Sequence, residues 1–168
     1  MKILDVMRHA KTEAWTYGCD DHARRLTGRG RKDARLVGAL IVGSGQLPQV
    51  AVVSSATRTR QTFDELRTQG IAAPMRASES LYGASANGAL SLIQDLDDGV
   101  DHAMVVGHEP TMGEIIRLFV GASGSNIHIP TAAVARVSFA AESWESLYWG
   151  TGELEWFMRP KGLRPPAQ

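Results

Sequence analysis

Short apolar runs alternate along the chain with longer segments whose apolar residues recur at helical spacing. The short runs predict buried strands at residues 3–7, 50–53 and 103–106, and a fourth short strand is expected within residues 71–77. The longer segments predict helices over residues 28–43, 57–68, 85–96 and 110–121. Two later segments alternate between apolar and polar residues and carry aromatics, which predicts strands at 134–139 and 154–158.

This order of strands and helices is typical of an α/β fold with a largely parallel sheet. We therefore expect a three-layer α/β/α sandwich with a mostly parallel central sheet, to which the last strands add antiparallel edges. Residues 1–160 contain no interior linker and predict a single domain, and residues 161–168 predict a Pro-rich tail. Thr27 and Ser85 stand where side-chain caps of two helices are expected.

Composition narrows the class of protein. The 168 residues are 43% hydrophobic and 21% charged, which suits a folded domain and argues against disorder. Lys plus Arg equals Asp plus Glu, at 18 each, so the basic excess of a nucleic-acid binder is missing and we expect no nucleic-acid partner. The N-terminal apolar run is short and no segment reaches about 18 apolar residues, so we expect a cytoplasmic protein with no membrane partner.

Cationic and hydrogen-bonding side chains follow three of the predicted strands. Arg8 and His9 come directly after the first strand, and Arg58 follows the second. His108 comes shortly after the strand at 103–106. Because ligands of open α/β sheets bind beyond the carboxyl ends of the strands, we expect these four side chains to meet at one edge. Arginine forks and helix N-termini bind oxyanions, so this set predicts a site for a phosphoryl group.

The same segments resemble the signature motifs of the histidine phosphatase superfamily, which has the phosphoglycerate mutase-like fold. The triplet RHA at residues 8–10 resembles the motif RH[G/A], and SSATRTRQT at residues 54–62 is similar to S-x-x-x-R-x-x-Q-T. The segment VVGHEP at residues 105–110 resembles the motif that carries the second histidine. Further likenesses at residues 25–30 and 130–132, with the short length, resemble the SixA-like branch, the phosphohistidine phosphatases.

This resemblance implies a mechanism centred on His9. Its neutral imidazole would attack phosphorus and form a phosphohistidine enzyme, and Arg8 and Arg58 should help to keep it neutral. The second ring nitrogen of His9 needs an acceptor, such as a backbone carbonyl, to fix the tautomer. Arg8, Arg58 and His108 would hold the phosphoryl oxygens, and water would then attack phospho-His9. Because these cations neutralise the phosphoryl charge, we expect no metal and no other cofactor.

Glu79 is the candidate proton donor. It opens the segment ESLYG, which is similar to the E-x-x-Y-G stretch that carries the acid in mutases of the superfamily. A carboxylic acid can protonate an alkoxide leaving group if burial raises its pKa. SixA-type enzymes can lack this acid because a protonated imidazole leaves readily, so the sequence is compatible with a catalytic and with a non-catalytic Glu79.

Four further residues are candidates for substrate binding, namely Lys11, Arg25, Thr131 and Ala132. A polar loop carries Lys11, Arg24 and Arg25, which either contact an anionic substrate or point to solvent. The resemblance to the superfamily implies that Thr131 and Ala132 offer a backbone N–H to the phosphate.

The remaining histidines and the one cysteine have other expected roles. His22 and His128 either line the substrate entrance or lie in solvated loops, and His102 follows an acidic turn, where we expect it to be solvated. Cys19 has acidic neighbours, whose negative charge disfavours a thiolate, so we do not expect it to be a nucleophile. The cysteine count and the histidine spacing do not support a metal site.

The sequence therefore predicts a metal-independent phosphatase that acts through a phosphohistidine intermediate. By resemblance, its substrate is phosphohistidine on a protein. One alternative is a phosphatase of small phosphate esters on the same scaffold, so the partner is either a phosphorylated protein or a small phosphorylated metabolite. A second alternative is a non-catalytic module that binds phosphate.

Overall fold

The computed structural model describes residues 1–123 and 127–162. Within them, strands and helices alternate up to the fourth helix, and two strands and a short 3-10 helix at Pro160–Gly162 follow. The elements in chain order are β1 (Lys2–Arg8), α1 (Gly28–Gly43), β2 (Val50–Ser54), α2 (Thr57–Arg67), β3 (Met75–Ser78), α3 (Ala86–Gln94), β4 (His102–Gly107), α4 (Thr111–Phe119), β5 (Val134–Phe139) and β6 (Gly152–Met158).

The predicted helices and strands are confirmed, with ends that shift by a few residues. The hydroxyls of Thr27 and Ser85 cap α1 and α3 by accepting from the backbone N–H three residues later, at 3.0 and 3.2 Å. Strand β3 begins at Met75, directly after Pro74 as predicted, and ends one residue later than predicted, at Ser78. Helix α3 ends at Gln94, two residues before the predicted end.

The strands form one six-stranded sheet in the order β3-β2-β4-β1-β5-β6. The four strands from β3 to β1 are parallel to their neighbours, whereas β5 runs antiparallel to β1 and β6 antiparallel to β5. Helices α1 and α2 pack together, as do α3 and α4. This arrangement confirms the three-layer sandwich with a mostly parallel sheet and antiparallel strands at one edge.

The hydrophobic core has one half on each face of the sheet. Ala103 and Val105 of β4 belong to the half that includes α3 and α4, and Met104 and Val106 to the half that includes α1 and α2. Side chains of a strand point alternately to its two faces, and all residues of β4 are buried, as expected for a central parallel strand. Packing of the two halves of the core against opposite faces holds the sheet, and therefore the ends of its strands, in place.

A buried ion pair crosses the sheet between β1 and β5. Asp5 and Arg136 lie directly opposite each other, and both are fully buried. Arg136 donates to the two carboxylate oxygens of Asp5, from Nε at 2.7 Å and from Nη2 at 3.0 Å. Nε2 of His102 lies 2.9 Å from Oδ2 of Asp5. The prediction that His102 is solvated is therefore wrong: its side chain is buried because it pairs with a carboxylate inside the sheet.

The end of the chain is only partly described. Of the predicted tail at 161–168, residues 163–168 lie outside the described residues. Over the ranges that the structure covers, none of the helices has both the length and the apolar character to cross a bilayer.

Removal of the charge of Asp5 tests the importance of the buried ion pair. We expect Asp5→Asn to lower the free energy of unfolding by about 3 to 5 kcal/mol, because it leaves the buried guanidinium of Arg136 without a counter-charge. Chemical denaturation measures the effect, and Glu155→Gln at an exposed position of β6 is the control. A loss below about 1 kcal/mol would show that the existing hydrogen bonds from Arg136 to Gln46 satisfy the guanidinium without the carboxylate.

Candidate active site

The register of the parallel strands aligns three strand ends at one edge of the sheet. Arg8 at the end of β1 lies opposite Gly107 at the end of β4. Val53 of β2 lies opposite Val106, so Ser54 ends β2 at the same level. His9 and His108 are the next residues of β1 and β4 to leave the sheet, and their ring centroids lie 5.3 Å apart.

The ring of His9 is oriented by the backbone carbonyl of the next residue, Ala10. Its Nδ1 lies 2.8 Å from the carbonyl oxygen of Ala10. A carbonyl oxygen can only accept, so Nδ1 carries the proton and Nε2 keeps its lone pair. This contact confirms the predicted carbonyl acceptor. His9 is 8% exposed, and burial, followed by the charges of Arg58 and Arg8, lowers the pKa of its imidazole to about 4 against the opposing effect of the bond to Ala10.

Two backbone contacts fix the segment that carries His9. The N–H of Ala10 donates to Oγ1 of Thr62 on α2 at 2.9 Å, and the N–H of Ala132 donates to the carbonyl oxygen of His9 at 3.0 Å. Ala132 has a φ of 60°, in the left-handed region. The N–H of Ala132 thus holds the backbone of His9, so it is not free to face a phosphate, contrary to what the resemblance to the superfamily implied.

His108 has one ring nitrogen engaged and one available. Its Nε2 lies 2.7 Å from Oγ of Ser54, and its Nδ1 is buried without a hydrogen-bond partner among the described residues. Burial, followed by the charges of Arg58 and His9, lowers the pKa of His108 to about 3. If the Ser54 hydroxyl donates to Nε2, then Nδ1 bears the proton and is a donor for an anion.

Arg8 and Arg58 are the two arginines of the predicted anion site, and each donates a hydrogen bond to a loop residue. Arg58 is 6% exposed and donates to Asp21, from Nη1 to the carbonyl oxygen at 2.6 Å and from Nη2 to Oδ2 at 3.0 Å. Arg8 donates from Nη1 to the carbonyl oxygen of Ile129 at 2.8 Å. Its Nε is buried without a partner among the described residues, and burial lowers the pKa of its guanidinium.

The structure also places further residues at this centre, of which only Arg24 was considered from the sequence as a possible contact for an anionic substrate. Asp21, Arg24 and Tyr82 lie beside Arg58, and the charge of Arg24 lowers the pKa of His9. Glu109 lies near Arg8 and accepts from the N–H of Ile129 at 3.1 Å, and burial raises the pKa of its carboxyl. A signal for Glu109 was its position next to His108 in the motif. Asp21 carried none beyond its polarity, and the sequence did not distinguish Arg24 from Arg25, because a loop conformation is needed to place them.

Other predicted residues lie farther from this centre or in solvent. Lys11, Arg25 and Glu79 are exposed, and Thr131 is half-buried. Of the two adjacent arginines, Arg24 rather than Arg25 is the one whose charge acts on His9. Glu79 therefore lacks the burial on which a role as proton donor depends.

Both loop histidines that were candidates for the entrance lie near the site. His22 has Nε2 at 2.9 Å from Oγ of Ser55, and its ring packs edge-on against Tyr82 with centroids 4.9 Å apart. The Tyr82 ring in turn lies 5.4 Å from that of His108. His128 has Nε2 at 3.3 Å from Nη1 of Arg8, and its side chain is largely exposed. The entrance is thus lined by aromatic and cationic groups.

Comparisons with known proteins agree with this arrangement. No family model matches the chain. An uncharacterized protein of Mycobacterium tuberculosis is 34% identical over 163 residues, covering 92% of this chain and all of the relative. A structure from Nakamurella multipartitia, named a candidate phosphohistidine phosphatase SixA, is 28% identical with a TM-score of 0.84, over 95% of this chain and 96% of the other. The protein histidine phosphatase SixA in complex with tungstate is 23% identical with a TM-score of 0.82, over 96% and 99%, and shows the same fold.

The protonation states of the two central histidines are open to direct measurement. We expect NMR to show His9 in the Nδ1-protonated tautomer, and to show neither His9 nor His108 titrating between pH 5 and 8, because their pKa values lie at about 4 and about 3. These folded-state pKa values lie below the usual 6.5, so the unfolded state binds more protons and stability falls as the pH drops from about 6.5 toward 4. A midpoint near 6.5 for His9 would contradict this prediction.

Proposed function

Because the chain belongs to the histidine phosphatase superfamily, in its SixA-like branch, we propose that it hydrolyses phosphohistidine on a protein through a phosphorylated His9. The observation that carries this proposal is the state of the His9 ring. Its Nδ1–H is bound to the Ala10 carbonyl and its Nε2 is left with a lone pair, beside Arg8, Arg58 and His108. A neutral, oriented imidazole among cations is suited to attack a dianionic phosphoryl group.

In the first step, Nε2 of His9 forms a bond to phosphorus while the bond from phosphorus to the leaving group breaks. Phosphoryl transfer asks for little covalent chemistry from the protein, so positioning and charge stabilisation carry most of the catalysis. Nε of Arg8 is buried without a partner among the described residues, which makes it a donor for a phosphoryl oxygen. Nδ1 of His108 is likewise without a partner, and it is a second donor in the tautomer in which the Ser54 hydroxyl donates to Nε2. Arg58 adds a guanidinium fork to the same group.

In the second step, water attacks phosphorus in phospho-His9, and the bond between phosphorus and Nε2 breaks. Phosphate leaves, the proton of the water is lost to solvent or to phosphate, and Nε2 regains its lone pair. Throughout both steps the Nδ1–H of His9 stays on the Ala10 carbonyl, so the carbonyl stabilises the positive charge that the phosphorylated ring carries.

Two observations support phosphohistidine on a protein over a small ester. Glu79 is exposed, and an alkoxide needs a proton donor more than an imidazole does. Trp15 and Tyr17 are 58% and 97% exposed on the loop that also carries Asp21 and Arg24. Large exposed aromatics next to a site are typical of a surface that contacts another protein.

Replacement of His9 tests the reaction. We expect His9→Ala to lower turnover of a chromogenic aryl phosphate by on the order of 1,000-fold or more, and to abolish acid-labile labelling by a phosphate donor. Wild-type activity should persist in EDTA and be inhibited by vanadate or tungstate. A thermal melt confirms that the variant is folded. Labelling that persists in folded His9→Ala would place the nucleophile elsewhere, and inactivity of the wild-type protein on aryl phosphates and phosphohistidine peptides would favour a binding module.

Replacement of Glu79 separates the two substrate classes. If phosphohistidine is the substrate, Glu79→Gln should change hydrolysis of a phosphohistidine peptide by less than about 3-fold, because the leaving imidazole does not need this acid. Steady-state kinetics on the peptide and on an alkyl phosphate give the comparison. Two results together would instead indicate a small-ester phosphatase. The wild-type protein would prefer the alkyl phosphate, and Glu79→Gln would lower kcat/KM on that substrate by about 100-fold.

A further inference from the structure

Asp21 links the cationic groups on one side of the candidate active site. Its carboxylate accepts from Arg24 Nη1 at 2.9 Å, from Arg58 Nη2 at 3.0 Å and from the hydroxyl of Tyr82 at 2.8 Å. Its carbonyl oxygen accepts from Arg58 Nη1 at 2.6 Å. Both terminal nitrogens of Arg58 are therefore bound to one residue, on a loop between β1 and α1.

The loop around Asp21 is itself anchored to the junction of β2 and α2. The carbonyl oxygen of His22 accepts from the N–H of Thr57 at 3.0 Å, and Nε2 of His22 contacts Ser55. Arg24 spans from Asp21 to the hydroxyl of Thr12 at 2.7 Å. These contacts hold the Asp21 carboxylate in a fixed position relative to the first turn of α2, which contains Arg58.

The charges around His9 explain why an acid is needed there. Arg8, Arg24 and Arg58 are all near enough to lower the pKa of His9 by their positive charge. Without a counter-charge, Arg24 and Arg58 would repel each other and move apart into solvent. The hydrogen bonds from Arg24, Tyr82 and Arg58 hold the pKa of Asp21 well below its usual range, so the carboxylate stays ionised.

We propose that Asp21 is a positioning residue that holds Arg58, with Arg24 beside it, in the orientation that receives the phosphoryl group; this inference rests on the proposed function. Each terminal guanidinium nitrogen carries two N–H groups, so the contacts with Asp21 leave donors of Arg58 for phosphoryl oxygens. The opposite role is also testable. If Asp21 instead competed with the phosphoryl group for Arg58, its removal would increase anion binding and activity.

The experiment is a double-mutant cycle between Asp21→Asn and Arg58→Ala, with Asp20→Asn as the control. Asp20 is the exposed neighbour, and an asparagine there keeps the acceptor for the N–H of His22. For each protein we would measure kcat and KM on a chromogenic aryl phosphate and the affinity for orthovanadate by calorimetry. A thermal melt establishes that each protein is folded, and Asp21→Glu tests whether a displaced carboxylate restores part of the effect.

The expected result is a loss of about 10- to 100-fold in kcat/KM for Asp21→Asn, mostly in kcat, and a similar weakening of vanadate binding. In the Arg58→Ala background the same substitution should cost less than about 3-fold, because the residue that Asp21 positions is gone. Asp20→Asn should stay within about 2-fold of wild type.

Two results would overturn the proposal. Equal losses from Asp21→Asn with and without Arg58 would show that Asp21 only stabilises its loop, and tighter vanadate binding or faster turnover would show that it competes with the anion. Vanadate binding gives these answers even if no turnover is detected. Failure of the proposed function appears separately, as absence of turnover and of acid-labile labelling in the wild-type protein.

Discussion

The site depends on keeping one imidazole neutral and oriented in the middle of a cluster of guanidinium groups. The cations that would bind a phosphoryl group also disfavour the protonated ring, since a positive charge on His9 would be repelled by Arg8, Arg24 and Arg58. Burial of the ring has a larger effect on the pKa of His9 and acts in the same direction. Because Nδ1 of His9 donates to the Ala10 carbonyl, Nε2 keeps the lone pair and is the candidate nucleophile.

The parallel sheet brings the backbone segments that carry these groups to one edge. Because β1, β2 and β4 are neighbours in parallel register, their last residues lie side by side, and His9 and His108 leave the sheet next to each other. The two layers of helices and the buried pair of Asp5 and Arg136 hold that register. The sheet thus fixes where the backbone of the anion site lies, whereas loop residues such as Asp21 and Ile129 hold the guanidinium groups of Arg58 and Arg8.

This division explains what could be predicted from the sequence. His9, Arg58 and His108 follow strands whose patterns are clear, and parallel strands end at one edge of a sheet, so these residues could be predicted to lie together. A carbonyl acceptor for His9 could be expected from the chemistry of the ring. Asp21 and Arg24 lie in a long polar loop, and nothing in their spacing distinguishes Arg24 from Arg25. His102 was misjudged because its partner, Asp5, lies 97 residues away in the chain and pairs with it only across the sheet. Ala132 shows a similar limit, since a backbone N–H has no sequence signal for the carbonyl that it will bind.

The convergence of His9, Arg8, Arg58 and His108 on one tetrahedral anion is most directly tested by a crystal structure of the protein with bound tungstate. The expected density is a single oxyanion beside Nε2 of His9, with its oxygens within hydrogen-bond distance of both guanidinium groups and of the His108 ring. Tungstate bound at another place, or at this edge without contact to His9, would contradict the proposed centre.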